Sequence, residues 1–196
     1  MIVLEAIRKQ EHRGLVPKRE TIEGPSGPYQ AIRWVRPADA FPDIEFGPKM
    51  GDVELAKFAE AASETLGKEL NEYVKHVDAI SSRVPASVGP GGHLMLGSSF
   101  FGKSTVAREF ILMHELEHLG LDHPEETAKL KARGASRGER EEAQARHEVE
   151  VGDRVLSRVE RSYPGLSPLN CPPEMPREAF REYRKHYFAR EVFKKW

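Results

Sequence analysis

The stretch between residues 106 and 119 constrains the fold more than any other part of the chain. Val106, Phe110, Ile111, Leu112, Met113, Leu116 and Leu119 leave a helix there with little polar face, so it has to be buried on most sides. Ser104 or Thr105 supplies an N-cap, and Gly120 with Pro124 beyond it supplies the stop. The same helix carries His114, Glu115, Glu117 and His118. Imidazoles and carboxylates in apolar surroundings are costly unless something binds or pairs them, and a metal ion is one such partner. His114 and His118 stand four residues apart, hence on one face, and neutral imidazole is a zinc ligand. Glu115 lies about 100° further round the helix. From there it is a poor ligand for the same ion but a good general base for a water beside it.

The surrounding pattern predicts an α+β chain. Residues 1–50 read as strands and long loops, with β-type runs at Ile2-Val3-Leu4 and from Tyr29 to Val35, and a turn at Gly24-Pro25-Ser26-Gly27-Pro28. Across 52–80, Val53, Leu55, Phe58, Ala62, Leu66, Leu70, Val74 and Val77 recur at helical spacing, which predicts one long backing helix bent near Gly67. Residues 93–97 read as a short strand between glycines. Residues 125–138 are charged and broken by Gly134 and Gly138. A helix is expected from about Glu139 to Arg161, then a loop with five prolines between Pro164 and Pro176, then a helical tail over 177–196. Residues 1–196 are read as a single domain in which 92–162 form the strand–helix–helix unit that carries the chemistry.

The run His114-Glu115-Leu116-Glu117-His118 resembles the HExxH signature of the zincin superfamily of metallopeptidases. The resemblance extends over about 60 residues, from roughly 92 to 156, because zincins place a strand and a turn before this helix. It implies a zincin-like fold, with a small N-terminal β-sheet packed on the HExxH helix and further helices. It also implies a catalytic zinc and hydrolysis of peptide bonds with Glu115 as general base. By the same analogy Leu94 to Leu96 would lie along the upper rim of the cleft and pair with an extended substrate.

A catalytic zinc takes three protein ligands and keeps an open position. His123 is one candidate for the third, since His118-Leu119-Gly120-Leu121-Asp122-His123 resembles the metzincin extension HExxHxxGxxH. Here the last histidine follows His118 by five residues where that family has six, and no Met-turn follows. Glu148 is the other and preferred candidate. Glu148-Val149-Glu150-Val151 resembles the segment that supplies a glutamate from the next helix in gluzincins. Helical arithmetic puts Glu148 on a stripe with Val151, Gly152, Val155 and Val159, and puts Glu150 with Arg146, His147 and Asp153 on a solvent face. Glu142 is a weaker alternative. Asp122 is read as a turn group or as a carboxylate that orients a ligand histidine. His147 and Tyr163 are candidate oxyanion donors, with packing the simpler role for both. His93 is read as structural, Glu117 as a polar helix position, and Cys171 as a remote candidate for holding the zinc latent.

Bulk composition limits the alternatives. The chain has 196 residues, 39% hydrophobic and 31% charged, and no run of the roughly 20 apolar residues that a membrane span needs. Residues 1–10 do not read as a signal peptide, and a single cysteine, Cys171, permits no internal disulfide and no Cys-rich zinc knuckle. A cytoplasmic location is therefore expected. With 30 basic and 31 acidic residues, a nucleic-acid footprint is not expected. The basic run Lys129, Lys131, Arg133, Arg137 and Arg140 is interleaved with glutamates and reads as a solvated face. A peptide or protein is the expected partner. The competing readings are another metal-dependent hydrolase, a nuclease or an amidase, and a non-catalytic protein with a structural or degenerate zinc site.

Overall fold

Leu94 and Leu96 point to one side of the backbone and His93 and Met95 to the other, the period of two that defines a strand. In the computed structural model, which describes residues 14–25 and 27–195, this strand is one of the two inner members of a mixed sheet. The order of elements is β1 (Val16–Gly24), β2 (Gly27–Val35), α1 (Pro37–Ala40), β3 (Glu45–Phe46), α2 (Asp52–Ala61), α3 (Glu64–Tyr73), β4 (His76–Ile80), β5 (Ala86–Gly89), β6 (His93–Gly97), α4 (Ser98–Phe101), α5 (Thr105–Gly120), α6 (His123–Ala132), α7 (Arg137–Ser162) and α8 (Arg177–Phe193). β1 and β2 form a separate antiparallel hairpin. The four-stranded sheet has the order β3-β4-β6-β5, with β5 antiparallel to β6 at its edge. The fold is α+β, as expected.

Helix α5 is the one predicted from 106–119, capped by the Ser104 hydroxyl, which accepts from Ala107 N. It packs against α2, α3, α6, α7, α8 and β5. Leu112 is fully buried and Leu116 is 3% exposed, so being surrounded accounts for the apolar sequence. α7 starts with a capping box between Ser136 and Glu139. Gly152 lets α8 approach α7 closely, since a Cβ there would lie 3.0 Å from Arg190 Cβ. Among the described residues, no helix is long and apolar enough to cross a membrane.

Four expectations need correction. The single helix over 52–80 is two helices and a strand. α2 ends at Ala61, Ser63 caps α3 by accepting from Leu66 N, and β4 follows. Leu66, Leu70, Val74 and Val77 are all buried, so an apolar spacing that fits a helix continued across a strand whose inward residues are buried for another reason. Second, the sheet beside α5 is not N-terminal but comes from residues 45–97. Third, the charged segment after His123 holds helix α6, with Asp122 at its N-cap and Pro124 in its first turn. Fourth, Leu94 to Leu96 cannot pair with an extended substrate, and of the three only Met95 lines the cleft. β6 is hydrogen-bonded on both sides, and Leu94 and Leu96 are in the core. Among the described residues, the sheet edge beside the cleft belongs to β5. The run Ile2-Val3-Leu4 lies outside the described residues.

The position of β5 depends on the loop that precedes it. Gly97 N donates to Pro85 O at 2.8 Å, and a Cβ on Gly97 would stand 2.0 Å from Val84 O and 2.8 Å from Ser82 O. No side chain fits there without moving backbone. Gly67, inside α3, has nothing within 4 Å of the same atom. Gly97→Ala is therefore expected to destabilise the protein by about 1–3 kcal/mol. Gly67→Ala should stabilise it by about 0.5–1 kcal/mol. Urea denaturation of the two variants checks both signs.

Candidate metal centre

The i, i+4 spacing on α5 brings His114 and His118 to one face, with their Nε2 atoms 3.2 Å apart. α7 crosses α5 and turns Glu148 toward them. Its Oε2 lies 3.3 Å from His114 Nε2 and its Oε1 3.8 Å from His118 Nε2. One donor atom from each of His114, His118 and Glu148 falls within 4.8 Å of the others. Glu148 sits there because Val151, Val155, Leu156 and Val159 press the next turns of α7 into the core. Glu115 occupies the neighbouring position on α5. All four side chains line one open cleft of about 780 Å³, with β5 residues Ala86 to Gly89 along one wall and α6 with the start of α7 along the other.

Such a donor set fits a tetrahedral zinc ion. Ligand atoms about 2.0–2.1 Å from a tetrahedral centre lie roughly 3.3 Å from one another. The His114–His118 and His114–Glu148 separations match that spacing, while the 3.8 Å contact of His118 is to the other carboxylate oxygen of Glu148. Two imidazoles and one carboxylate leave a fourth position, and the cleft is on that side.

His123 takes a different place. Asp122 adopts a left-handed conformation, φ 56°, which short polar residues tolerate, and the chain reverses between α5 and α6. That turn carries His123 behind His118. His123 Nδ1 lies 3.0 Å from His118 Nδ1, and its Nε2 lies 3.5 Å from Glu150 Oε2. The His123 ring stacks on His147 at 3.8 Å and 8°, and His147 Nε2 meets Glu126 Oε2 at 2.8 Å. His123 and His147 are only 5% and 4% exposed. His147 is thus not on a solvent face, because α6 covers that side of α7. Glu150 is exposed but holds His123. The Asp122 side chain makes no capping bond, and the nitrogen that meets His118 belongs to His123.

The other candidates are dispersed. Tyr163 caps the end of α7 against the core. Glu142 is exposed. His93 pairs with Asp78 on the sheet at 2.8 Å. Glu117 faces Arg154 and Arg158 at 3.9 and 4.0 Å. Cys171 lines a separate groove with Phe180 and Phe188. His186 on α8 was not foreseen. Its ring centroid stands 5.7 Å from that of His114, and its Nδ1 donates to Glu182 O at 3.0 Å. Nothing in the local sequence near residue 186 announces this, since only the packing of α8 on α5 brings it there. The His123–His147–Glu126 group is equally silent in sequence, because its members come from two helices.

The electrostatics of the metal-free cluster are uneven. Burial raises the Glu115 carboxyl to about 7, with His114 opposing and Glu148 adding to the rise. Burial also acts to raise Glu148, but the hydrogen bond from His114 and the charges of His114 and His118 outweigh it and hold it below the usual range. Burial acts to lower His114, yet Glu148 and Glu115 bring it above its ordinary value. Burial and the charge of His114 push His118 down to about 4. His114 is thus biased toward its protonated form and Glu148 toward its charged form, while His118 is biased toward the neutral imidazole.

The chain matches no protein-family model, and neither a curated protein nor a solved structure is similar to it.

A raised carboxyl binds its proton more tightly in the folded state than in the unfolded one. Glu115 therefore costs the metal-free protein stability as pH rises from about 4.5 to about 7. Metal-free Glu115→Gln lacks that cost. Its Tm should exceed that of the metal-free parent at pH 8, and the difference should shrink at pH 5. Calorimetry of the two proteins stripped of metal at both pH values checks the sign.

Proposed function

We propose that the chain is a zinc-dependent metallopeptidase with a zincin-like fold of the gluzincin type, in which His114, His118 and Glu148 hold the ion and Glu115 is the general base. The observation that carries this reading is the convergence of those three donors at the floor of an open cleft, with Glu115 beside them. A zinc ion held there would lower the pKa of a water and polarise the substrate carbonyl. Glu115 takes the proton from the attacking water and passes it to the leaving amine.

His123 serves the site through His118. With its Nε2 given to the ion, His118 must carry its proton on Nδ1, which then donates to Nδ1 of His123. His123 in turn holds its own proton on Nε2, toward Glu150. The relay fixes one tautomer and one ring orientation for His118. It also engages both ring nitrogens of His123, with His118 and Glu150, which favours an open fourth position over a closed structural site.

The free edge of β5 above the cleft suits an extended chain, whose backbone can pair with it as an added strand. A peptide is the substrate that uses such an edge. Near-equal numbers of basic and acidic residues give no comparable reason to favour a nucleic acid.

The test separates binding from chemistry. The zinc-loaded protein should cleave unstructured casein, and Glu115→Ala should keep its zinc and lose about 10²–10⁴-fold in kcat/KM. An equally active, zinc-loaded Glu115→Ala protein would end the proposal. In the ligand set, His123→Ala should weaken zinc about 10–100-fold in a chelator competition, and Glu148→Ala should weaken it further. If Glu148→Ala binds zinc as the parent does, the third ligand is another residue.

A further inference from the structure

The basic run between α6 and α7 is more than a solvated face. Lys131, Arg137 and Arg140 line the same cleft as His114, His118 and Glu148. On α7, Arg137, Arg140 with Glu141, Gln144 and Glu148 follow one another at intervals of three or four residues, so they form one stripe leading away from the site. Arg137 is paired with Glu141 at 2.7 Å, and Arg133, just outside the cleft, with Glu139 at 3.1 Å. Lys131 and Arg140 have no carboxylate partner among the described residues. The far end of the cleft thus holds two uncompensated cations. The wall opposite is the strand β5, Ala86 to Gly89, which carries no charge.

We propose that this end of the cleft binds an acidic segment of the substrate, so that the enzyme selects peptides with Asp or Glu some residues away from the bond it cuts. The helix sets the distance. At 1.5 Å per residue, Arg140 stands about 12 Å and Arg137 about 16 Å along α7 from Glu148. An extended peptide rises about 3.3 Å per residue, and the long basic side chains lean over the path. An acidic residue that meets Arg140 therefore falls roughly four positions from the scissile bond. Both cations are exposed, so each pairing is modest and screened by salt. The charge of the cleft therefore tunes selection, while the β5 edge and the metal end supply most of the grip. The distance to the scissile bond rests on the metallopeptidase reading; the charge preference does not.

Zinc-loaded Glu115→Gln binds peptides without turning them over, and so separates selection from cleavage. Three fluorescent ten-residue peptides of equal composition apart from charge are compared by anisotropy, with Glu, Gln or Lys at the positions three to five from the centre. The Glu peptide should bind about 3- to 10-fold more tightly than the Gln peptide at 50 mM salt, and the gap should narrow at 500 mM. Lys131→Gln with Arg140→Gln should bring the three peptides to similar affinity, and Lys131→Glu with Arg140→Glu should make the Lys peptide the tightest. Equal binding of the three peptides by the parent, or a preference untouched by the charge reversal, overturns the inference. Cleavage by the protein with Glu115 intact is followed on the same peptides. Charge-dependent binding without any cleavage defeats the peptidase reading alone, and cleavage blind to charge defeats this inference alone.

Discussion

The burial of α5 is the constraint on which the rest of the structure depends. A helix covered by five helices and a strand edge leaves His114, Glu115 and His118 only the opening of the cleft to face. Each polar group must be met by another within the protein or by a ligand. Glu148 from α7 meets His114 and His118, and His123 from the start of α6 meets the back of His118. α6 and α7 are thus not merely packed beside α5 but supply the partners its polar face requires. Leu112 and Leu116 on the other faces fix the rotation of α5, and so decide which way its histidines look.

That arrangement divides labour between two kinds of contact. Valines and leucines on α7 set the depth of the helix, and Glu148 rides on that depth. The pairings behind the site set angle and tautomer. His123 is held in a stack with His147 and against Glu150, and His147 against Glu126. A chain of aromatic and carboxylate groups therefore runs from the cleft floor to the surface of α6. Sheet and cleft are linked in a similar way. The close passage of residues 82–85 over Gly97 seats β5 at the sheet edge, and that edge becomes one wall of the cleft.

Much of the site was legible because it is local. An i, i+4 pair of histidines in an apolar helix needs no knowledge of the fold to be placed on one face. The stripe of Glu148 with Val151, Gly152 and Val155 follows from the same periodicity. The helix start at Ser104 was legible from capping chemistry and the turn between β1 and β2 from its glycines and prolines, whereas α7 starts at Arg137, two residues before the expected Glu139. The failures are of one kind. Val74 and Val77 fit a helical period and lie in and beside a strand, since burial alone does not say which backbone carries it. His147 fell on a polar face by arithmetic but is covered by α6, a helix hidden in a charged segment. Leu94 to Leu96 looked like a strand, as they are, yet sheet order decides whether a strand is an edge.

Local sequence determined which side chains can act and which face of their own helix they share, because a helix repeats every 3.6 residues wherever it is placed. It pointed to the burial of α5, because the apolar residues from Val106 to Leu119 leave only a narrow polar face. Tertiary structure decided the partners. His123 and Glu148 both follow His118 in the chain, and only the left-handed turn at Asp122 sends the first behind His118 while α7 returns the second to its front. It decided too that Lys131 and Arg140 border the cleft that the histidines floor. Relations between elements rest on packing across long sequence separations, and no local period encodes them.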